Sequence, residues 1–385
     1  MNVLFLAPQS FYLDRGTPIA VRLLLEQFSR RGWSVDVLVF PGGRDVVIPG
    51  VRFFKTSLRP GARPLQPGLS ARKLWHDVRL FFAARERLKT RRYDFIHAVE
   101  EGAFIAALLS ARTGVPFVCD MDSSMPDQLA EKNRFWRLVR PVMRRFEAYM
   151  LRRARAVLAV CEAVADKARA VARGPVFVLP DPPVGGAPNP ARNHVRERLK
   201  VEGPAFVYVG NLQGYQGISL LLKSFQRALA HMAQACLIIV GGELMEVEKL
   251  ERRCNRHGFA GHVHFTGACA LDETVQYLDA ADVLISPRIR GANTPMKIYS
   301  YMQSGKAILA TDIPSHTQVL TPEAAVLVPP QPEAMAEAMV KLASDADLRE
   351  RLGQAARRLA ETQHSRAAYE RKADEFCAWM ESNVA

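Results

Sequence analysis

Leu179-Pro-Asp-Pro-Pro-Val-Gly-Gly-Ala-Pro-Asn-Pro190 divides this chain. Proline lacks an N–H and fixes φ, so five prolines and two glycines in twelve residues form neither helix nor central strand. The stretch reads as an interdomain linker over 181–195. It separates a first domain at 1–180 from a second at 196–364, and a length of 385 residues suits two such domains. A last helix, 365–385, is expected to pack back on the first domain.

On either side of the linker, short apolar runs alternate with helical patterns. Before it the runs fall at 3–8, 34–40, 51–56, 95–99, 117–122, 157–161 and 176–179. After it they fall at 206–210, 236–242, 263–267, 283–287, 307–311 and 325–329. Strands alternating with helices imply parallel βαβ units, and near-continuous apolar runs imply sheets covered on both faces. The expected fold class is α/β: two doubly wound Rossmann-like domains facing a central cleft. Ligands would bind at the carboxyl ends of the strands.

The charge is uneven. The whole chain carries +13, but residues 1–180 hold 30 Lys+Arg against 16 Asp+Glu, and the remainder 22 against 23. An excess of +14 on one domain asks for an anionic partner there. No apolar run reaches the roughly 20 residues needed to cross a bilayer. The N-terminus lacks the basic segment of a signal peptide and reads as a first strand. Six cysteines without a CxxC pair fit free thiols in a reducing cytoplasm rather than disulfides or zinc.

Four segments could carry chemistry. Ser286-Pro-Arg-Ile-Arg-Gly-Ala-Asn-Thr-Pro-Met-Lys-Ile-Tyr follows a strand and opens a helix. Asn293 or Thr294 is expected to cap that helix, with Pro295 in its first turn. Its N-terminus, with Arg288, Arg290 and Lys297, would suit a diphosphate; an ordinary strand–loop–helix with solvated charges is the alternative. Tyr208-Val-Gly-Asn-Leu-Gln-Gly-Tyr-Gln-Gly-Ile218 ends a strand in a glycine-rich loop, where Gly210, Gly214 and Gly217 permit close backbone approach or simply a tight turn. It lacks GxGxxG spacing. The loop 8–18 opens a helix with Thr17 as cap and Pro18 at its first position, near Gly16. In Cys119-Asp-Met-Asp-Ser-Ser-Met-Pro-Asp127, Asp120 and Asp122 share a strand face, as a base and hydroxyl acceptor or as helix caps. His97, Glu100 and Glu101 end another strand; one His beside two adjacent Glu is poor metal geometry, and capping suits them better.

Together these pieces resemble the family 4 retaining glycosyltransferases of GT-B fold over essentially the whole chain. Phe5-Leu-Ala-Pro, the Gly16 loop and Arg31-Gly-Trp-Ser-Val-Asp-Val look like the family's first βαβ unit. Val157-Leu-Ala-Val-Cys-Glu-Ala-Val looks like the strand and helix before its hinge. Val209-Gly-Asn-Leu with Gln216-Gly-Ile, Ile238-Ile-Val-Gly-Gly, Val263-His-Phe-Thr-Gly and the 283–311 segment follow in family order. The resemblance implies a hexosyltransferase-type enzyme with a nucleotide-sugar donor in the second domain and an acceptor in the first. It implies no cofactor and no metal, basic side chains and a helix N-terminus holding the diphosphate. Donor-binding residues would be Gly210, Asn211, Gln216, Gly217, Gly242, Thr266, Gly267, Arg288, Asn293, Thr294, Lys297 and Ser300. Gly16, Asp120 and Asp122 would line the reaction centre.

The departures are specific. Two Glu of the family's usual motif fall here on Ala292 and Ser300. Its phosphate-binding Arg and Lys fall on Asn211 and Gln216, and its N-domain His falls on Asp122. The Asn-Thr-Pro-Met-Lys-Ile-Tyr variant looks like a branch with a reorganised donor site, in which Arg288 and Lys297 supply the charge. A sugar-nucleotide-binding subunit without activity, or a nucleotide-sugar epimerase, is the alternative.

The basic excess concentrates in 71–93 and 131–155, the second carrying Lys132, Arg134, Arg137, Arg140, Arg144, Arg145, Arg152, Arg153 and Arg155. Apolar residues 135, 138, 139, 142, 146, 149 and 150 form one helical stripe, and Pro141 is expected to kink the helix. For either helix alone, a stripe facing the core with solvated arginines is the simpler reading, but it leaves +14 unexplained. A basic amphipathic helix with aromatics suits an anionic membrane surface. No nucleic-acid motif is present. The sequence therefore points to a cytoplasmic enzyme, peripheral to the inner face of the membrane, with a lipid-linked or cell-surface glycan acceptor.

Overall fold

The computed structural model describes residues 1–13, 16–56, 70–130, 134–185 and 194–384. Asp14 and Arg15 of the first loop, Lys132 of the second basic stretch and linker residues 186–193 lie outside the described residues, as does the side chain of Arg134. The chain divides into two compact units, Met1–Pro180 with Tyr369–Ala385, and Asp181–Ala368.

Seven strands build the first unit: β1 (Asn2–Ser10), β2 (Ser34–Phe40), β3 (Val51–Lys55), β4 (Phe95–Val99), β5 (Phe117–Met121), β6 (Ala156–Ala159) and β7 (Val176–Val178). Six build the second: β8 (Ala205–Val209), β9 (Cys236–Val240), β10 (Val263–Gly267), β11 (Val283–Ser286), β12 (Ala307–Thr311) and β13 (Val326–Val328). Both sheets are parallel, ordered β3-β2-β1-β4-β5-β6-β7 and β10-β9-β8-β11-β12-β13. Every residue of β4, β9 and β12 is buried, as expected of strands covered by helices on both faces. The strand order reverses beside β1 and β4 in one sheet and beside β8 and β11 in the other. Ligand crevices form outside the carboxyl ends of strands at such points.

The last helix, Arg366–Val384, gives residues from Tyr369 onward to the first unit. Phe376, Cys377 and Met380 are fully buried there, with Phe376 against His97 and Phe177. Polar bonds fix its register: Gln27 Nε2 donates to Asp374 at 2.7 Å and Trp33 Nε1 to Glu381 at 2.9 Å, while Arg31 pairs with both carboxylates. None of the six cysteines is joined in a disulfide. Among the described residues, no helix is long and apolar enough to cross a membrane.

Candidate functional site

In the second unit, the loops after β8 and β11 are knitted together. Ile289 N donates to the Tyr215 carbonyl at 2.9 Å. Gly217 has φ +76°, and a Cβ there would collide with the Pro287 carbonyl, so both its conformation and its space demand glycine. Above this seam lie two cations, one buried and one half-buried. Arg288 is 6% exposed; its Nε donates to the Arg290 carbonyl (2.6 Å), and its two Nη atoms to the Asn293 carbonyl (2.8 Å) and Oδ1 (2.9 Å). Its guanidinium sits 5.2 Å from the Tyr215 ring centroid.

Lys297 Nζ lies 3.9 Å over the Tyr208 ring and donates to Gln216 Oε1 at 3.3 Å. A Cβ on Gly210 would stand 3.0 Å from that Nζ. Burial, then the nearby Arg288 charge, hold the Lys297 ammonium well below its ordinary pKa. No carboxylate pairs with Lys297 among the described residues, so an incoming anion would raise its pKa again. Gly210, Gln216, Gly217, Arg288, Asn293 and Lys297 thus form one contiguous group, beside which Asn211 accepts from Tyr208 Oη through its carbonyl at 2.6 Å.

The capping expected of Asn293 and Thr294 is not found. The helix runs Lys297–Ser304, with Met296 at its N-cap and no side-chain cap. Asn293 is taken by Arg288, whose planar fork matches its carbonyl and amide oxygen together. Thr294 Oγ1 is buried without a hydrogen-bond partner. Such an orphan costs about 1–3 kcal/mol, which a ligand oxygen would recover. Ser300 faces elsewhere: its hydroxyl accepts from Val184 N (3.0 Å) and donates to the Val184 carbonyl (3.1 Å), anchoring the end of the linker. Gly242 packs on Leu212. Thr266 and Gly267 close edge strand β10, joined to the loop group through Gly241 N, which donates to the Gly267 carbonyl at 2.8 Å. Thr266 lines a groove of about 660 Å³ with Arg198, His264, Glu273 and Tyr277, apart from Arg288 and Lys297.

In the first unit, carboxylates gather at the ends of β4 and β5. Asp120 Oδ2 lies 2.9 Å from His97 Nε2. Asp122 lies just beyond β5 and accepts from the Thr17 hydroxyl; burial first and Asp120 second raise its pKa. Thr17 is the second residue of helix Gly16–Arg30, not its cap. Gly16 starts that helix, exposed, and a Cβ there would meet nothing within 4 Å. Neither crowding nor backbone conformation requires glycine at this position, which leaves room for a ligand as its explanation. Glu101 does not cap its helix either, because its carboxylate pairs with Lys73.

Glu100, which the sequence offered as a helix cap rather than a metal ligand, is the residue its pattern undervalued. It holds φ +47°, a region costly for a side-chain-bearing residue. Its carboxyl is pushed up by burial and by neighbouring Asp122 and Glu101. With Glu101, Glu147, Phe104 and Met121 it lines a narrow pocket. Among the described residues, no group of three His, Cys, Asp or Glu is placed to hold a metal ion.

The outer face of this unit corrects the reading of the apolar stripe. On helix Arg134–Arg153, Phe135 (62%), Leu138 (79%), Val142, Phe146 and Tyr149 are exposed, while Met150 alone among these positions is fully buried. On helix Ala71–Thr90, Leu74, Trp75, Val78 and Phe82 are exposed as well. The core is already closed beneath by Leu80, Ala84, Met150 and Leu151. Arg137, Arg145, Arg152 and Arg153 are exposed beside the stripe, whereas Arg140 and Arg144 are drawn to Asp127. An apolar row this long on a surface marks an interaction site.

Against known proteins, a family profile described as "Glycosyltransferase Family 4" matches residues 15–182, and one described as "Glycosyl transferases group 1" matches 203–345. Alpha-D-kanosaminyltransferase of Streptomyces kanamyceticus is 24% identical over 374 residues, covering 91% of this chain and 96% of that protein. Among solved structures, sucrose-phosphate synthase from Thermosynechococcus elongatus superposes with a TM-score of 0.81 at 18% identity, covering 99% of each chain. The HepE protein of Anabaena, solved in complex with UDP-glucose, superposes with a TM-score of 0.75 at 17% identity, covering 98% of this chain and all of that one.

Proposed function

This chain belongs to the family 4 glycosyltransferases of GT-B fold, and we propose that it moves a sugar, with retention, from a nucleotide-diphosphate donor to a hydroxyl of a lipid-linked or cell-surface glycan intermediate. One observation carries the reading: Arg288, buried, and Lys297, half-buried and with no carboxylate partner among the described residues, stand near each other at the switch point of the second sheet. Two neighbouring cations partly withdrawn from water there favour the binding of an anion. A diphosphate supplies that anion, and the same charges stabilise the leaving nucleotide diphosphate as the glycosidic bond breaks. This arrangement would serve without a metal ion or cofactor. That a neighbour of like fold was solved with UDP-glucose supports a nucleotide sugar as the ligand.

Acceptor chemistry falls to the first unit. Asp122, with a raised pKa, can orient or take a proton from the acceptor hydroxyl near neutral pH, with Asp120 and Gly16 beside it. The exposed apolar row flanked by arginines supports a peripheral site on the anionic inner face of the cytoplasmic membrane, where a lipid-linked acceptor would be met. Transfer of labelled sugar from a panel of nucleotide sugars to membrane glycolipid extracts tests the whole reading. Turnover with one donor is expected; tight nucleotide binding without transfer to any native glycan would sink it. Co-sedimentation with phosphatidylglycerol vesicles should be salt-sensitive and lost in Phe135→Ser/Leu138→Ser, and an absence of binding removes the membrane from the proposal.

A further inference from the structure

We infer that Ser286, His316 and Thr311 form a positioning network that sets the main chain of Arg288 and, through it, the affinity for the donor's diphosphate. The inference rests on the reading of Arg288 as a diphosphate ligand and concerns residues outside that ligand set.

His316 is fully buried, as are Ser286 and Thr311. Its Nδ1 lies 2.8 Å from the Thr311 carbonyl, which can only accept, so Nδ1 carries the proton. Nε2 is then the acceptor, and the Ser286 hydroxyl donates to it at 2.8 Å. The Thr311 hydroxyl in turn donates to the main-chain carbonyl of Arg288. Ser286 is the last residue of β11 and Thr311 the last of β12, and these strands pair in parallel with Ser286 opposite Ala310. One imidazole therefore ties two strand ends together directly beneath the point where the chain departs toward Arg288.

The geometry reaches the guanidinium because Arg288 is built into its own loop. Three of its N–H groups are committed to the Arg290 and Asn293 oxygens. Gly291, at φ +115°, lies so close that a Cβ would strike the guanidinium. With the side chain locked to the loop, the loop's take-off angle decides where the charge points. A displacement of about 1 Å in such a group is costly to ligand recognition. The ring must also stay neutral, since a protonated Nε2 cannot accept from Ser286. Burial, followed by the Arg288 and Lys297 charges, holds His316 down to about 4.

The test is a double-mutant cycle read by calorimetric binding of UDP, GDP, ADP and dTDP to the full chain. Thr311→Val removes the hydroxyl while keeping the shape; Thr311→Ser restores it. Expected results are roughly tenfold weaker diphosphate binding in Thr311→Val, recovery in Thr311→Ser, and no further loss when Thr311→Val is added to Arg288→Ala. His316→Asn, which keeps a donor near Nδ1, should lose less than His316→Ala. Equal losses from Thr311→Val in both backgrounds would make the network merely structural and overturn the inference. Weaker binding in Arg288→Ala with none in Thr311→Val sinks the network alone. Unchanged binding in Arg288→Ala, or no binding by the unaltered chain to any of the four nucleotides, sinks the donor reading with it. Should Thr311→Val fail to fold, Ser286→Ala in the same cycle reads the other end of the network, with the same outcomes.

Discussion

The two sheets share the order of their first six strands and place opposite chemistry at strand ends on and beside their switch points. At the end of β4 and β5, in the stretch that carries +14 overall, sit Glu100, Glu101, Asp120 and Asp122. At the end of β8 and β11, in the stretch that is nearly neutral, sit Arg288 and Lys297. Net charge therefore describes the surface of each unit and not its site. Arg137, Arg145, Arg152 and Arg153 lie exposed on an outer helix, whereas Glu100 and Asp122 are drawn inward at the strand ends. A transferase that must accept a proton in one place and an anionic leaving group in another has reason to separate them this way.

Five experiments sharpen or break that contrast. The largest effect belongs to Asp122→Asn. Loss of a positioned base should lower kcat about 10²–10⁴-fold with donor affinity unchanged, and equal loss in both quantities would erase the division of labour. In the unaltered enzyme the acidic limb of the rate profile should fall near pH 7, where the Asp122 carboxyl is raised, rather than near 4. Next, Lys297→Met should weaken diphosphate binding about 10–100-fold, the range of a charged hydrogen bond worth about 1.5–3 kcal/mol, while leaving affinity for the bare nucleoside unaltered.

A smaller change is expected of Gly16→Val. Because a side chain there meets only open space, the melting temperature should hold while acceptor KM rises about tenfold; a melting loss instead would return Gly16 to a structural role. Smallest is the dependence of stability on pH. Asp77 and Asp122 are raised to about 7 and Glu100 to about 8, each chiefly by burial. The native state then holds protons that the unfolded chain releases near pH 4, so stability is greatest below that range and falls as pH rises toward 8. The melting temperature should be lower at pH 8 than at pH 5, and Glu100→Gln with Asp122→Asn should reduce the difference. Melts that rise with pH would show these carboxylates to be compensated.

The central strands were legible because a parallel strand covered on both faces leaves an unbroken apolar run, as in β8 and β9. The junctions were not. Asn293 and Thr294 have the composition of a cap, but the composition does not reveal that Arg288, five residues earlier, takes the asparagine first. Ser300 reads from the sequence as a donor-site residue, but its partner Val184 is 116 residues away. The apolar stripe at 135–150 has the spacing of a core face; only the helices beneath, already filled by small and apolar side chains, show that it has no core to enter. Glu100 was visible as a residue, but its φ of +47° is not written in any spacing.

The path of the chain also bears on the order in which the protein can be completed during synthesis. The second unit is one uninterrupted stretch, Asp181–Ala368, whereas the first recruits Tyr369 onward. Phe376 and Met380, fully buried against the first sheet's helices and strands, leave the ribosome after every residue of the second unit. The first unit to begin is thus the last to close, reversing the usual N-terminal-first sequence. Until its final helix emerges, the side chains that Phe376 will cover, His97 and Phe177 among them, stay open to chaperones and to other nascent chains.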